Sequence, residues 1–159
     1  MRKQTIAAII LSTLILGTAA SAQTFEKKHH NYSEWTKGRF SEAVTVTGPG
    51  KMIFLAGVGS EDEGATPGVI RHKDDFVGQC KYAYDKIKRA LEKNGATLAD
   101  AVKIVTYLTD IRSQPLYATC RREVFGTTPM PAHTLLNINQ LAWPGMMIEI
   151  DVTAMVPLK

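Results

Sequence analysis

Ile148-Glu149-Ile150-Asp151-Val152-Thr153-Ala154-Met155-Val156, near the C-terminus, alternates with a period of two. Ile148, Ile150, Val152, Ala154 and Val156 share one face of an extended chain, while Glu149, Asp151, Thr153 and Met155 share the other. A strand over about Met146 to Met155 with one dry face needs a cover. Upstream, apolar or small residues recur at Phe76, Cys80, Ala83, Tyr84, Ile87, Ala90 and Leu91, spacings that gather them on one stripe of a helix. Asp74 and Asp75 supply carboxylates at its start, and Gly95, after Lys93 and Asn94, supplies a left-handed cap at its end. A sheet carrying an amphipathic helix is the first expectation.

The remaining elements extend that pattern. Ala43 to Thr47 and Met52 to Gly57 are β-rich runs separated by Gly48-Pro49-Gly50, which reads as a hairpin. Val58 to His72, with four Gly or Pro residues and the acidic Glu61-Asp62-Glu63, reads as a loop. Thr97-Leu98-Ala99-Asp100 is a capped turn leading into a strand over Val102 to Leu108. A second helix over Ser113 to Phe125 has Pro115 in its first turn, Gly126 at its end, and Leu116, Cys120 and Val124 as its expected buried stripe. A strand over Ala132 to Ile138 and the loop Leu141-Ala142-Trp143-Pro144-Gly145 precede the final strand. The order β-β-α-β-α-β-β defines an α+β domain with two helices on one face of the sheet. Thr106, Leu108, Leu136 and Met155 are assigned to the opposite face, which calls for burial against other subunits.

The N-terminus reads as a cleavable signal peptide over residues 1–22: Arg2 and Lys3, an apolar run from Ile6 to Leu16, then Ala20-Ser21-Ala22. The run is too short for a spanning helix, so a periplasmic or secreted protein, free of the membrane after cleavage, is expected. Without Arg2 and Lys3, 17 of the 19 basic residues face 15 acidic ones, a formal +2 that argues for neither nucleic acid nor anionic lipid as a partner. Residues 23–38 are polar and aromatic without a period and read as an arm; 39–159 form the domain. His29-His30 in that arm reads as solvated, and no Cys/His spacing suggests a metal. Cys80 and Cys120 each fall on a helical apolar stripe, where a buried free thiol is the expected state and a disulfide, permitted by export, is the alternative.

Taken together, Phe54-Leu55-Ala56-Gly57, the run Gly95 to Lys103, Tyr107-Leu108-Thr109-Asp110, Phe125-Gly126, Pro131-Ala132 and Ile148 to Val152 resemble the Rid (YjgF, reactive-intermediate deaminase) family. The resemblance covers about Phe40 to the C-terminus. It implies a chorismate-mutase-like homotrimer on a mixed sheet, with small-molecule clefts between subunits, working without metal or cofactor. It also implies hydrolysis of enamine or imine metabolites to a carbonyl compound and ammonia. The family's carboxylate-gripping arginine follows a Pro-Ala pair; here that position is His133, which is shorter and cannot make the two-pronged contact. The glutamate that positions water corresponds to Glu149, an aromatic near the first strand to Phe40, and a helical asparagine to Ala118. Gly57 and Trp143 complete the expected ligand-binding set.

From the residues alone, His133 and Glu149 approach each other if the last two strands are antiparallel neighbours, and such a pair activates water. The alternative is that His133 satisfies a backbone carbonyl and Glu149 pairs with a surface cation. Asp110 and Asp151 read as capping or solvated. Arg121 and Arg122, with Lys86, Lys88 and Arg89, read as a solvated helix face rather than an RNA site, since no aromatic platform is interleaved with them. Two functions stay open: an exported imine hydrolase using Glu149 and His133, and a non-catalytic small-molecule binding protein on the same scaffold.

Overall fold

Alternation in the C-terminal sequence becomes alternation in burial. In the computed structural model, which describes residues 23–158, the strand Ile148–Pro157 buries Ile148, Ile150, Val152 and Ala154 and leaves Glu149, Asp151, Thr153 and Met155 half-covered. The signal-peptide reading falls on residues 1–22, outside the described residues. In chain order the elements are β1 (Glu26–His30), β2 (Ala43–Thr47), β3 (Gly50–Phe54), α1 (Phe76–Lys93), β4 (Ala101–Leu108), α2 (Gln114–Phe125), β5 (Ala132–Asn137) and β6 (Ile148–Pro157). The main sheet has the order β3-β6-β4-β5. It is mixed, because β6 runs antiparallel to both neighbours whereas β4 and β5 are parallel.

Helix α1 forms where its sequence asks. The Asp75 carboxylate accepts from the Gly78 N–H at 3.0 Å, and Gly95 closes the far end at φ 72°. Its stripe, Cys80, Ala83, Tyr84, Ile87 and Leu91, packs on Ile104, Leu108, Ile148, Ile150 and Val152 of the sheet. Each fully buried aliphatic side chain there contributes roughly 1.5–3 kcal/mol. The turn before β4 is a reciprocal capping box between Thr97 and Asp100.

Several sequence expectations are corrected. The Gly48-Pro49-Gly50 turn does not close a hairpin: β2 pairs with β1 in a separate two-stranded sheet, and β3 pairs with β6. The expected arm therefore contains a strand, and His29 is fixed by the Ser41 hydroxyl at 2.9 Å and the Met130 carbonyl at 3.1 Å. In α2 the buried stripe is Tyr117, Cys120, Arg121 and Phe125, whereas Leu116 is 49 % exposed. Thr106 and Leu108 point toward the helices and are fully buried; Leu136 and Met155 do lie on the opposite face.

Cys80 and Cys120 are bonded to each other, with Cα atoms 6.6 Å apart, and so link α1 to α2. A helical stripe read one helix at a time does not reveal that two stripes meet at cysteine. Both sulfurs are buried, as expected, but as a bridge rather than as free thiols.

Candidate ligand site

Helix α2 leaves β5 partly uncovered, and the chain between β1 and β2 curves back over the gap. The result is a cavity of about 660 Å³, within the range of small-molecule sites. Trp35, Arg39 and Phe40 form one wall, Tyr117, Ala118 and Arg121 of α2 the other, and His133 and Leu135 of β5 the floor. Three sequence positions matched to the Rid cleft, Phe40, Ala118 and His133, are thus brought together. The Phe40 and His133 rings are 6.3 Å apart and tilted.

His133 sits in a hydroxyl network. Its Nε2 lies 3.1 Å from the Tyr117 hydroxyl and 3.2 Å from Thr106 Oγ1, and these two hydroxyls are 2.6 Å apart. Tyr117 reaches on to the buried Tyr84 hydroxyl at 3.2 Å. Burial, followed by the nearby positive charges of Arg121 and Lys103, pushes the His133 pKa down to about 3. The ring is neutral at physiological pH, which suits it to hydrogen bonding and not to gripping an anion.

Glu149 does not join it. In the sheet, β4 lies between β5 and β6; His133 is in register with inward-facing Ile104, and Glu149 with Tyr107 on the opposite face. The intrachain acid–base pair expected from antiparallel neighbours is therefore absent, because β5 crosses to pair with β4 in parallel. Glu149 lies instead against Gly57. Between the Phe54–Thr153 and Val58–Ile150 pairs, the β3 side carries one extra residue, and this bulge presses Gly57 onto the Glu149 carboxylate, where a β-carbon would collide. Burial, then the negative charges of Glu61 and Asp151, raises the Glu149 pKa. Asp151 accepts from the Tyr107 hydroxyl at 3.0 Å, and Asp110 caps the turn before α2 through the Arg112 N–H.

Trp143 lines neither cleft region; its ring lies over Gly68, so close that a β-carbon there would press on it. The basic residues set aside as a solvated face are mostly engaged: Lys86 with Glu61, Arg89 with Glu63, Lys88 with Asp85. Arg121 is the exception to that reading, since it is buried in the cavity wall. Sequence reasoning missed Tyr117, Thr106 and Arg121. The usable signal was the spacing Tyr117, Arg121, Phe125, a helical stripe in its own right. Among the described residues, no cluster of three or more His, Cys, Asp or Glu suits a metal ion, and no helix is long and apolar enough to cross a membrane.

A mixed sheet with two helices on one face is the chorismate-mutase-like arrangement, here with a cavity between the second helix and an edge strand. More specifically, residues 32–156 match the Endoribonuclease L-PSP family, and the chain belongs to this family, which is also called YjgF, Rid or RutC. It is 30% identical over 128 residues to the RutC family protein YjgH of Escherichia coli, covering 79% of this chain and 89% of the relative. A RutC family protein of Pyrococcus abyssi is 32% identical over 117 residues, covering 74% and 86%. Among solved structures, a Rid family protein of unknown function from Yersinia pestis superposes with a TM-score of 0.70 at 25% identity, covering 82% of this chain and 98% of that one. A YjgF/YER057c/UK114 family member from Mycobacterium tuberculosis gives 0.55 at 28% identity, covering 82% and 100%.

Proposed function

We propose that this chain is an exported, homotrimeric Rid protein whose cleft hydrolyses small imines or enamines to a carbonyl compound and ammonia. The observation that carries the reading is the cavity itself: Phe40, Ala118 and His133, apart in sequence, line one open pocket of metabolite size. Glu149, facing away from that cavity in its own chain, enters the cleft from an adjacent copy packed against the outer sheet face. Its carboxylate accepts a proton from water as the water oxygen bonds to the imine carbon. That proton passes to nitrogen to give a carbinolamine; the carboxylate then takes the hydroxyl proton and delivers it to the same nitrogen, the C–N bond breaks, and ammonia leaves as the carbonyl forms. His133, neutral and hydrogen-bonded to Tyr117 and Thr106, positions the substrate.

The test is ammonia release by the mature protein given freshly generated imines, with and without a carboxylate. Turnover that disappears in a folded Glu149→Gln variant supports hydrolysis. No turnover from any imine moves the reading to a binding protein, which the separation of Glu149 from the cavity within one chain favours.

A further inference from the structure

Beside the main cavity lies a smaller one of about 310 Å³, and the two share Gly38, Phe40, Arg122 and Met130 as walls. The end of β1 supplies one side of this smaller chamber through His29 and Asn31, and the loop after α2 supplies another through Thr127 and Thr128. His29 and Asn31 are each held by one end of the side chain, which fixes what the other end offers. The Met130 carbonyl only accepts, so Nδ1 of His29 carries the proton that faces it at 3.1 Å and the Ser41 hydroxyl at 2.9 Å. Burial holds the His29 pKa below its ordinary value, so the ring is neutral and Nε2 keeps a lone pair. Asn31 Nδ2 donates to the Phe40 carbonyl and to Thr36 Oγ1, both at 2.8 Å, which uses both of its protons and leaves Oδ1 as an acceptor. Among the described residues neither His29 Nε2 nor Asn31 Oδ1 has a hydrogen-bond partner. The unpartnered side-chain atoms sealed from solvent are Ser60 Oγ and Arg121 Nε, so both of these acceptors are open to it.

We propose that this chamber is a subsite for an uncharged, hydroxyl-bearing part of the ligand, a sugar or similar polyol, whose hydroxyls donate to His29 Nε2 and Asn31 Oδ1. The inference rests on the reading of the larger cavity as a small-molecule cleft and adds the class of group its ligand carries at the far end. Two fixed acceptors call for donors. An ammonium group is a donor too, but among the described residues no Asp or Glu lines either cavity, and Arg122 stands where the two meet. A cation there meets a like charge and finds no counter-ion. A carboxylate or phosphate only accepts, and would set lone pairs against lone pairs at both positions. A hydroxyl donates to each acceptor and can also accept from the Thr127 or Thr128 hydroxyl across the chamber. The other end of the ligand then lies in the larger cavity along Phe40 and Trp35, whose rings meet edge-on at 5.4 Å.

Calorimetric titration with phenyl β-D-glucopyranoside and with 2-phenoxytetrahydropyran, which share the phenyl acetal and the six-membered ring and differ in the sugar hydroxyls, tests this. The wild-type protein is expected to bind the glucoside at least about tenfold more tightly, as two hydrogen bonds of ordinary net strength require. His29→Leu removes one acceptor and is expected to reduce that ratio about fivefold. Lys28→Gln, on the exposed face of β1, is expected to leave it unchanged. If His29→Leu does not fold, the His29 Nε2 resonance of the wild-type protein decides: the glucoside shifts it and 2-phenoxytetrahydropyran does not. Equal affinity for the two compounds, no binding of the glucoside, a full ratio retained by folded His29→Leu, or an unmoved resonance overturns the subsite. Tighter binding of 4-phenoxypiperidine, a cation of similar shape, overturns its neutral class. The two readings fail separately. Glucoside preference without ammonia release from any imine removes the hydrolase and keeps the subsite; ammonia release without glucoside preference does the reverse.

Discussion

The Tyr117 hydroxyl stands 3.1 Å from Nε2 of His133, with the two rings stacked at a 29° interplanar angle, so the second helix and the edge strand meet through a polar pair inside a largely dry layer. His133 is neutral there, with its pKa lowered to about 3, first by burial and then by Arg121 and Lys103. In the unfolded chain the ordinary value near 6.5 returns. Between those two values the unfolded state binds a proton that the folded state refuses. The stability associated with neutral His133 is therefore whole above about pH 6.5 and lost as pH falls toward 3, with a slope approaching about 1.4 kcal/mol per pH unit. Urea unfolding from pH 7 to pH 4 should show a steeper loss in the wild type than in His133→Gln. Parallel curves, or a His133 ring signal titrating near 6.5, would count against the buried neutral ring.

The bridge between Cys80 and Cys120 spans 40 residues of chain. Closing a loop of that length restricts the unfolded state by about 4 kcal/mol in the chain-entropy picture. Since Cys120 directly precedes Arg121, the bridge also pins the part of α2 that lines the cavity. The Cys80→Ala/Cys120→Ala double variant should unfold at markedly lower urea, with a loss of about 2–4 kcal/mol. Thiol titration of the untreated, denatured protein should find no reactive cysteine; finding two would contradict the bridge.

How far sequence carried the structure can be judged element by element. Helix α1 and strand β6 were legible because each has a single clean period, and one face of each is buried within the chain. Helix α2 was partly misphased: Val124 and Cys120 do pack on the core, but Leu116 is exposed, whereas Tyr117 and Arg121 are what the cavity wall and the disulfide-linked layer enclose. The hairpin failed because Gly48-Pro49-Gly50 specifies a turn but not which strands the two arms find; β3 gains more by joining β6 inside the main sheet. The site was half legible. Residue types at Phe40, His133 and Glu149 were readable, but strand order and register are non-local properties: β4 separates β5 from β6, and pairing with Ile104 and with Tyr107 puts His133 and Glu149 on opposite faces.

Glu149 is expected to act as a carboxylate with a raised pKa, held up first by burial and then by Glu61 and Asp151. If it accepts the proton from water, activity requires its ionised form. The acid limb of the pH–rate profile should then lie above the ordinary glutamate range. Glu61→Gln removes one of the negative charges and should move that limb to lower pH while leaving the plateau rate within a few-fold. An acid limb that does not respond to Glu61→Gln would separate the titrating group from Glu149.

The outer face of the sheet offers the last test. Phe54 is 72 % exposed and Met52 51 % exposed, both pointing away from the helices beside Met155 of β6, with Leu136 also exposed toward the other edge. An apolar group of this kind flanking half-buried carboxylates is poor surface for a lone domain and good surface for self-association. Phe54→Lys places a charge where a partner subunit would desolvate it. In sedimentation equilibrium the wild-type mature protein should have three times the mass of the chain, and Phe54→Lys should fall toward one. Its circular dichroism should be unchanged, because a residue this exposed costs the single chain little, within about 0.5 kcal/mol. Ammonia release should fall with the trimer, since in the proposed mechanism Glu149 reaches the cavity from another copy. A Phe54→Lys protein that stays trimeric would place the interface elsewhere, and a monomeric wild type that still hydrolyses imines would remove Glu149 from the reaction.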